Sequence, residues 1–191
     1  MERQITSVVS ASYFQLRLIS RIKHHLDYKT LQQVIHALVI SRLDSVNSIL
    51  SDITTSGINR LQIVQNNAAR LLASTKKREH IKPVLKSLHW LPVAARIRYK
   101  VLVQVHKCLY DVTSPKYLTE LLKRYTPGRC LRSSMDSTKL SVPRTKRAEG
   151  SKSFSFLGPH LWNSLPLSVR SQNSVNVFKK MLKTHLFLEC Y

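Results

Sequence analysis

From Leu31 to Leu50 the apolar residues fall three and four apart. Leu31, Val34, Ile35, Leu38, Val39, Leu43, Val46, Ile49 and Leu50 trace one face over about five turns. Only a helix presents that spacing to one neighbour, because a strand would throw alternate members onto opposite faces. Asp27 stands where its carboxylate can accept from the orphan amides of a first turn, so it is the expected N-cap. The 191 residues include 4 glycines, too few for a fold built on tight β-turns. Gly57, Gly128, Gly150 and Gly158 are isolated, so no phosphate-cradling glycine loop can be assembled.

The same periodicity runs through most of the chain. Phe14, Leu18, Ile22 and Leu26 recur every four residues, flanked by Ile19, with Arg17, Arg21, Lys23 and His24 largely off the stripe. Thr54-Thr55-Ser56-Gly57 breaks the chain. Beyond it Leu61, Val64, Ala68, Leu71 and Leu72 mark an inward face, with Arg60, Asn67 and Arg70 at its margins. A short helix is expected around Pro83 to Ser87. A longer one is expected from Pro92, pre-organised for a first helical position, to Tyr110, with Ala94, Ile97, Val101, Val105, Cys108 and Leu109 inward. Ser114-Pro115 repeats that start for a helix carrying Leu118, Leu121 and Leu122, which Pro127-Gly128 ends.

From Arg129 to Lys152 the composition turns basic and hydroxyl-rich. This predicts a mobile loop or a pair of short extended segments around Leu140-Ser141-Val142-Pro143. Phe154, Phe156, Leu157, Leu161, Trp162 and Leu165 then form an apolar cluster. A last helix, capped by Ser174, turns Val177 or Phe178, Met181, Leu182 and Leu186 toward it. The expected fold is mainly α: a helical bundle of amphipathic helices with a basic loop region and a small C-terminal helical cluster. Its segments are 1–75, 76–126, 127–153 and 154–191, with no internal repeat.

Charge bounds the function. Lys and Arg number 31 against 10 Asp and Glu, a formal +21 that ion pairs within the chain cannot neutralise. Such a surface attracts polyanions and releases their counterions on binding. None of the acids sits beside another, whereas nuclease and polymerase chemistry on nucleic acid usually needs clustered carboxylates to hold two divalent cations. Cys108, Cys130 and Cys190 are odd in number and widely spaced, which fits a reducing compartment and neither a disulfide framework nor a zinc site. No apolar run approaches the roughly eighteen residues of a membrane span. No cofactor or metal is expected, and the expected location is nuclear or cytoplasmic.

Histidines offer no catalytic set. His24 and His25 are adjacent, so on a helix they point about 100° apart. There is no HExxH and no GxSxG. His89 beside Trp90 and His160 near Trp162 are expected to fill half-buried positions with one hydrogen bond each. The basic residues say more. Arg70, Lys76, Lys77, Arg78, Lys82, Lys86, Arg96, Arg98 and Lys100 accumulate around one helix-turn region, opposed there by Glu79, and positions 96 and 100 share a helical face. With Arg129, Arg132, Arg144, Lys146 and Arg147 of the loop, they are the candidate residues for holding an RNA or DNA backbone without sequence preference. The same charges would also serve as a solvated surface that keeps the chain soluble. Tyr99, Tyr110, Tyr117 and Tyr125 lie among the bases as stacking candidates or as core-edge residues. Lys76-Lys77-Arg78 and Arg144-Thr145-Lys146-Arg147 match the short basic pattern of import signals.

Several stretches together resemble the C-terminal region of non-LTR (LINE-type) retrotransposon polyproteins, downstream of the reverse transcriptase palm. They are Ser41-Arg-Leu-Asp44 with Asn47-Ser-Ile-Leu50; Leu61-Gln-Ile-Val-Gln-Asn-Asn-Ala-Ala-Arg-Leu71; His80-Ile-Lys-Pro-Val-Leu85; Leu88-His-Trp-Leu-Pro-Val93; Leu131-Arg-Ser-Ser134; Val142-Pro-Arg144; Gly158-Pro-His-Leu-Trp-Asn-Ser-Leu-Pro166; and Phe178-Lys-Lys-Met-Leu-Lys-Thr-His-Leu-Phe187. They run in the family's order over nearly the whole chain. The resemblance implies a helical thumb over 1–75 that grips a primer–template duplex by its backbone, followed by a post-thumb segment. The sequence departs from the family at Ser45-Val46, where Tyr-Cys is frequent, and the family's Ala-Asp-Asp polymerase motif has no counterpart in it.

The expected function is therefore that of a non-catalytic fragment related to an RNA-directed DNA polymerase, lacking palm and endonuclease and binding RNA or DNA through basic helices. The alternative is a structural remnant or protein-interaction module, whose exposed apolar surface a protein partner would cover. Oligomeric state is not legible in the sequence.

Overall fold

In the computed structural model, which describes residues 2–47, 54–111, 113–126, 138–147 and 150–191, the chain is mainly α-helical. Asp27 caps α2 (Tyr28–Ile35) as its position predicts, its carboxylate accepting from the amides of Lys29 at 3.1 Å and Thr30 at 3.2 Å. Hydrogen bonding from Thr30, side chain first, holds that carboxyl below the ordinary aspartate value. The helix continues through a π segment, His36–Ile40, into α3 (Ser41–Asn47). A row of residues four apart drifts off one face of a 3.6-residue helix. The wider π turn takes up that drift. Leu31, Ile35, Val39 and Leu43 therefore stay buried in one line and Ile40 joins them, while Leu38, expected inward, is left exposed. Ile49 and Leu50 lie outside the described residues, as does the side chain of Val46.

α1 (Glu2–Ile22) corrects the expected stripe. Its buried residues are Ile5, Ser12, Leu16 and Ile19, whereas Phe14 is 58% exposed and Leu18 and Ile22 also face out. Two apolar rows compete on this helix. The row from Ile5 through Val8, Val9 and Leu16 to Ile19 runs nearly its full length and buries more surface against α4 than the two-turn row from Phe14 can. α4 (Thr55–Ala73) begins where the sequence shows a break: Thr54 Oγ1 accepts from the Gly57 amide at 3.2 Å, so Thr55 to Gly57 form its first turn. Leu61, Val64, Ala68, Ala69 and Leu72 are buried along it, and Leu71 is half-buried.

α5 (Ile81–Ser87) ends at His89, whose φ of 54° lets the Trp90 amide reach back to the Leu85 carbonyl at 2.9 Å. Two glutamines of α4 secure the turn that follows. Gln65, fully buried, donates to the Leu91 carbonyl at 2.8 Å, and Gln62 Oε1 accepts the Val93 amide at 2.8 Å. Gln62 thus satisfies an orphan donor at the start of α6 (Val93–Tyr110), the role of an N-cap played by a residue 31 positions away. Helix α6 begins one residue later than expected, Pro92 contributing its carbonyl to the Arg96 amide at 2.9 Å. Trp90 packs edge-on to His36 at 5.2 Å between ring centres, and Tyr191 donates its hydroxyl to the Trp90 carbonyl at 2.7 Å. Burial pushes that phenol up to about 12.

The chain packs as two units, Met1–Ile97 with Glu189–Tyr191, and Arg98–Leu188. This division falls within α6, because Leu85, Trp90, Val93 and Ile97 belong to the core of the first unit. Ala94, expected inward, is exposed. In the second unit, α7 (Lys116–Thr119) is a single turn. Leu122 beyond it is buried but Leu121 is exposed. The helices α8 (Phe154–Ser164), α9 (Leu167–Arg170) and α10 (Val175–Cys190) supply Trp162, Leu165, Val169, Phe178, Leu182 and Leu186 to its core. Phe178, not Val177, is the inward member of the pair left open by the sequence. Among the described residues no helix is long and apolar enough to cross a membrane.

Candidate nucleic-acid interface

Cations of the first unit cluster around the end of α4. Ser74 ends that helix at φ 55°, and the Thr75 amide returns to the Arg70 carbonyl at 3.2 Å. The next turn is closed by Glu79, whose amide donates to the Lys76 carbonyl at 3.2 Å while its Oε1 accepts the Lys76 amide at 3.4 Å. Its carbonyl accepts from Arg70 Nη2 at 3.2 Å. Glu79, the one acid the sequence sets among these bases, is thus engaged with backbone. Lys76, Lys77 and Arg78 stay exposed around it. Lys82 and Lys86 stand four apart on α5, exposed on one face.

Arg96 does not join this group. It forms a two-point ion pair with Asp44 of α3, and its side chain is only 19% exposed. Its expected alignment with Lys100 for phosphate is therefore corrected: a carboxylate already neutralises it. α6 carries Arg98 and Lys100 into the second unit, where both are half-buried and engaged in interactions of their own. Arg129 and Arg132 lie outside the described residues.

Arg144, Lys146 and Arg147 are exposed on an irregular segment of the second unit that is tied down at its start. Leu140 is buried and forms an isolated antiparallel bridge with Arg124. Asn163 grips both backbone groups of Leu140, accepting its amide at 2.9 Å and donating to its carbonyl at 2.8 Å. Trp162 Nε1 donates to the Thr138 carbonyl at 2.8 Å, and buried Arg170 donates to the Thr138 hydroxyl at 3.1 Å and the Leu165 carbonyl at 2.9 Å. Within the stretch expected to be mobile, Thr138 and Leu140 are thus hydrogen-bonded to α8 and α9, while 129–137 lie outside the described residues.

Among the tyrosines, Tyr117 and Tyr125 are exposed. Tyr99 and Tyr110 are half-buried, which makes them core-edge residues; burial pushes the Tyr99 phenol up. His89 and His160 are exposed, against the half-buried positions expected. The buried histidine is His106, unmarked by any motif. Its Nε2 lies 2.7 Å from the Gln172 carbonyl, its ring stacks on Phe178 at 4.2 Å, and Nδ1 has no partner. A carbonyl only accepts, so Nε2 carries a proton; burial lowers the pKa and so disfavours a second proton on Nδ1. The sequence signal was its place on the inward row of α6, four residues from both Leu102 and Tyr110. Cys108 is buried too, which raises its thiol above the ordinary range and makes it a small hydrophobe. Among the described residues no three His, Cys, Asp or Glu side chains gather to hold a metal ion.

No protein-family model matches this chain, and no curated protein and no solved structure matches it.

Proposed function

We propose that this chain binds RNA or DNA through backbone phosphates, as a non-catalytic relative of the thumb and post-thumb region of LINE-type reverse transcriptases. The observation that carries the reading is the set Lys76, Lys77, Arg78, Lys82 and Lys86, exposed within a few turns of chain whose single acid, Glu79, is bonded to backbone amide and not to them. Cations so displayed track phosphate without reading bases. Arg144, Lys146 and Arg147, exposed on the second unit, offer the same chemistry there. The family assignment rests on the sequence stretches quoted above.

Electrophoretic shift on duplex, hybrid and single-stranded oligonucleotides over a salt series tests this. The logarithm of the binding constant should fall linearly with log salt, by roughly 0.9 for each phosphate neutralised on duplex. An affinity flat between about 50 and 200 mM salt would overturn the reading.

A second reading, a protein-interaction module, draws on one observation. Phe14, Leu18 and Ile22 form an exposed apolar row on α1. Sedimentation of the wild type against Leu18→Glu decides it: self-association or partner capture that the charge abolishes would favour this reading over the first.

A further inference from the structure

The turn after α4 borders a shallow, open cleft of 390 Å³ lined by Lys23, Asn67, Arg70, Leu71, Ser74, Thr75 and Lys77. Its three cations come from separate pieces of chain: Lys23 from the 3-10 turn Lys23–His25 behind α1, Arg70 from the last turn of α4, and Lys77 from the turn beyond. No carboxylate is among its described lining residues. Two polar atoms beside it are buried with no partner in the protein, Arg70 Nε and Thr75 Oγ1. Buried donors of this kind are ordinarily matched, and each exception asks what matches it. Ser74 adds a third feature. It holds a left-handed φ of 55°, where glycine is the usual residue, and so places a hydroxyl at the cleft, 2.7 Å from Lys23 Nζ. Since that oxygen accepts from the ammonium, its own proton is left to point elsewhere.

We infer that this cleft is a seat for one phosphoryl group. The donor set fits a multi-oxygen anion: a guanidinium edge, two hydroxyls and two ammonium groups exceed what the two oxygens and single charge of a carboxylate can use. Of the remaining lining residues, Leu71 is apolar and Asn67 already donates to the Tyr13 hydroxyl at 3.0 Å, so both shape the wall. The identity of the phosphate's carrier, a nucleic-acid strand or its terminus, rests on the function proposed above. The seat itself does not. Lys82 and Lys86 share the face of one short helix, whereas the cations of this cleft come from three pieces of chain, and a phosphate held by all three would fix the register of a bound strand.

The arginine Nε–H signals of the whole chain, followed by 1H–15N NMR during titration with inorganic phosphate at constant ionic strength, test the seat. Arg70 is assigned by its loss in Arg70→Lys. Its signal should move saturably with phosphate and stay put with matched chloride. Thr75→Val, which keeps the shape of the side chain and removes its hydroxyl, and Lys77→Gln, at the surface of the fold, should each weaken phosphate affinity about tenfold, the worth of one charge-assisted bond. An Arg70 signal that ignores phosphate, or follows chloride equally, overturns the seat even if salt-dependent binding of duplex persists. Phosphate seated at Arg70 with no oligonucleotide bound sustains the seat while the nucleic-acid reading fails. Oligonucleotides with a 5′-phosphate or a 5′-hydroxyl separate the carriers: preference for the former assigns the seat to a strand's end, and equal displacement of the Arg70 signal assigns it to a backbone phosphodiester.

Discussion

Arg96 on α6 holds Asp44 on α3 in a two-point grip, Nε 2.9 Å from Oδ1 and Nη2 2.5 Å from Oδ2. Both side chains are partly shielded, at 19% and 27% exposure, so the pair is neither a screened surface contact nor a fully desolvated one. Two parallel charge-assisted bonds in that setting are worth about 1.5–3 kcal/mol. Asp44→Ala should lower stability by that amount, read as a shift of the urea midpoint with unchanged slope. Because the carboxylate already satisfies Arg96, Arg96→Gln should leave oligonucleotide affinity nearly unchanged. The double change Lys82→Gln with Lys86→Gln should weaken affinity and reduce the salt slope by about two. Equal losses in both variants would show that Arg96 reaches phosphate after all.

What the sequence makes legible is local. Asp27 caps α2 because capping involves a residue and the turn beside it, and the Leu31 row survives because a π turn corrects its drift. What it hides is decided by distant chain. Arg96 counts among free cations until Asp44, 52 positions away, is brought to it. Periodicity cannot choose between the two apolar rows of α1, since the choice belongs to α4. Gln62 and Gln65 look like polar margin yet hold the backbone of Leu91 and Val93. Of the cleft, Arg70 and Lys77 stand out as cations. Lys23 comes from another element, and the left-handed turn at Ser74 has no glycine to announce it.

His106 makes stability fall in acid. Its folded-state pKa is lowered by burial, so the unfolded chain, with an ordinary value of about 6.5, binds the proton more readily. The stabilisation is full above pH 6.5 or so and is lost as pH falls through the window toward the lowered value. His106→Gln keeps an N–H donor for the Gln172 carbonyl and removes the titration. Urea midpoints measured from pH 7.5 to 5 should drop more steeply for the wild type than for this variant. Parallel curves would mean that protonated His106 is accommodated in the fold.

Gly158 lies inside α8, where alanine is ordinarily better than glycine by about 1 kcal/mol. Here the order should reverse. A Cβ at this position would come 3.0 Å from Val105 Cγ2. Val105 is fully buried on α6, and a β-branched side chain in a helix has essentially one rotamer to occupy. Overpacking of this kind costs about 1–3 kcal/mol, which outweighs the propensity gain. Gly158→Ala should therefore melt lower than wild type, and Gly158→Ala with Val105→Ala should recover part of the loss beyond the sum of the two single changes. Simple additivity would place the strain elsewhere.

Asn163 is the residue whose loss should release the basic segment without unfolding the second unit. Its amide supplies both a donor and an acceptor to Leu140, a pairing that neither aspartate nor leucine can reproduce. The neighbouring bonds from Trp162 and Arg170 to Thr138 would remain, so global stability should fall by only about 1–2 kcal/mol in Asn163→Leu. The consequence should be local. Arg144, Lys146 and Arg147, already exposed, would gain the backbone freedom a protease needs, and brief trypsin treatment should cleave the variant there several-fold faster than wild type. In Leu140→Ala the same cleavage should rise together with a loss of about 2–4 kcal/mol, because that change empties a buried position as well. Unchanged tryptic rates in Asn163→Leu, at preserved stability, would show that the bonds to Thr138 and the bridge from Arg124 suffice to hold the segment.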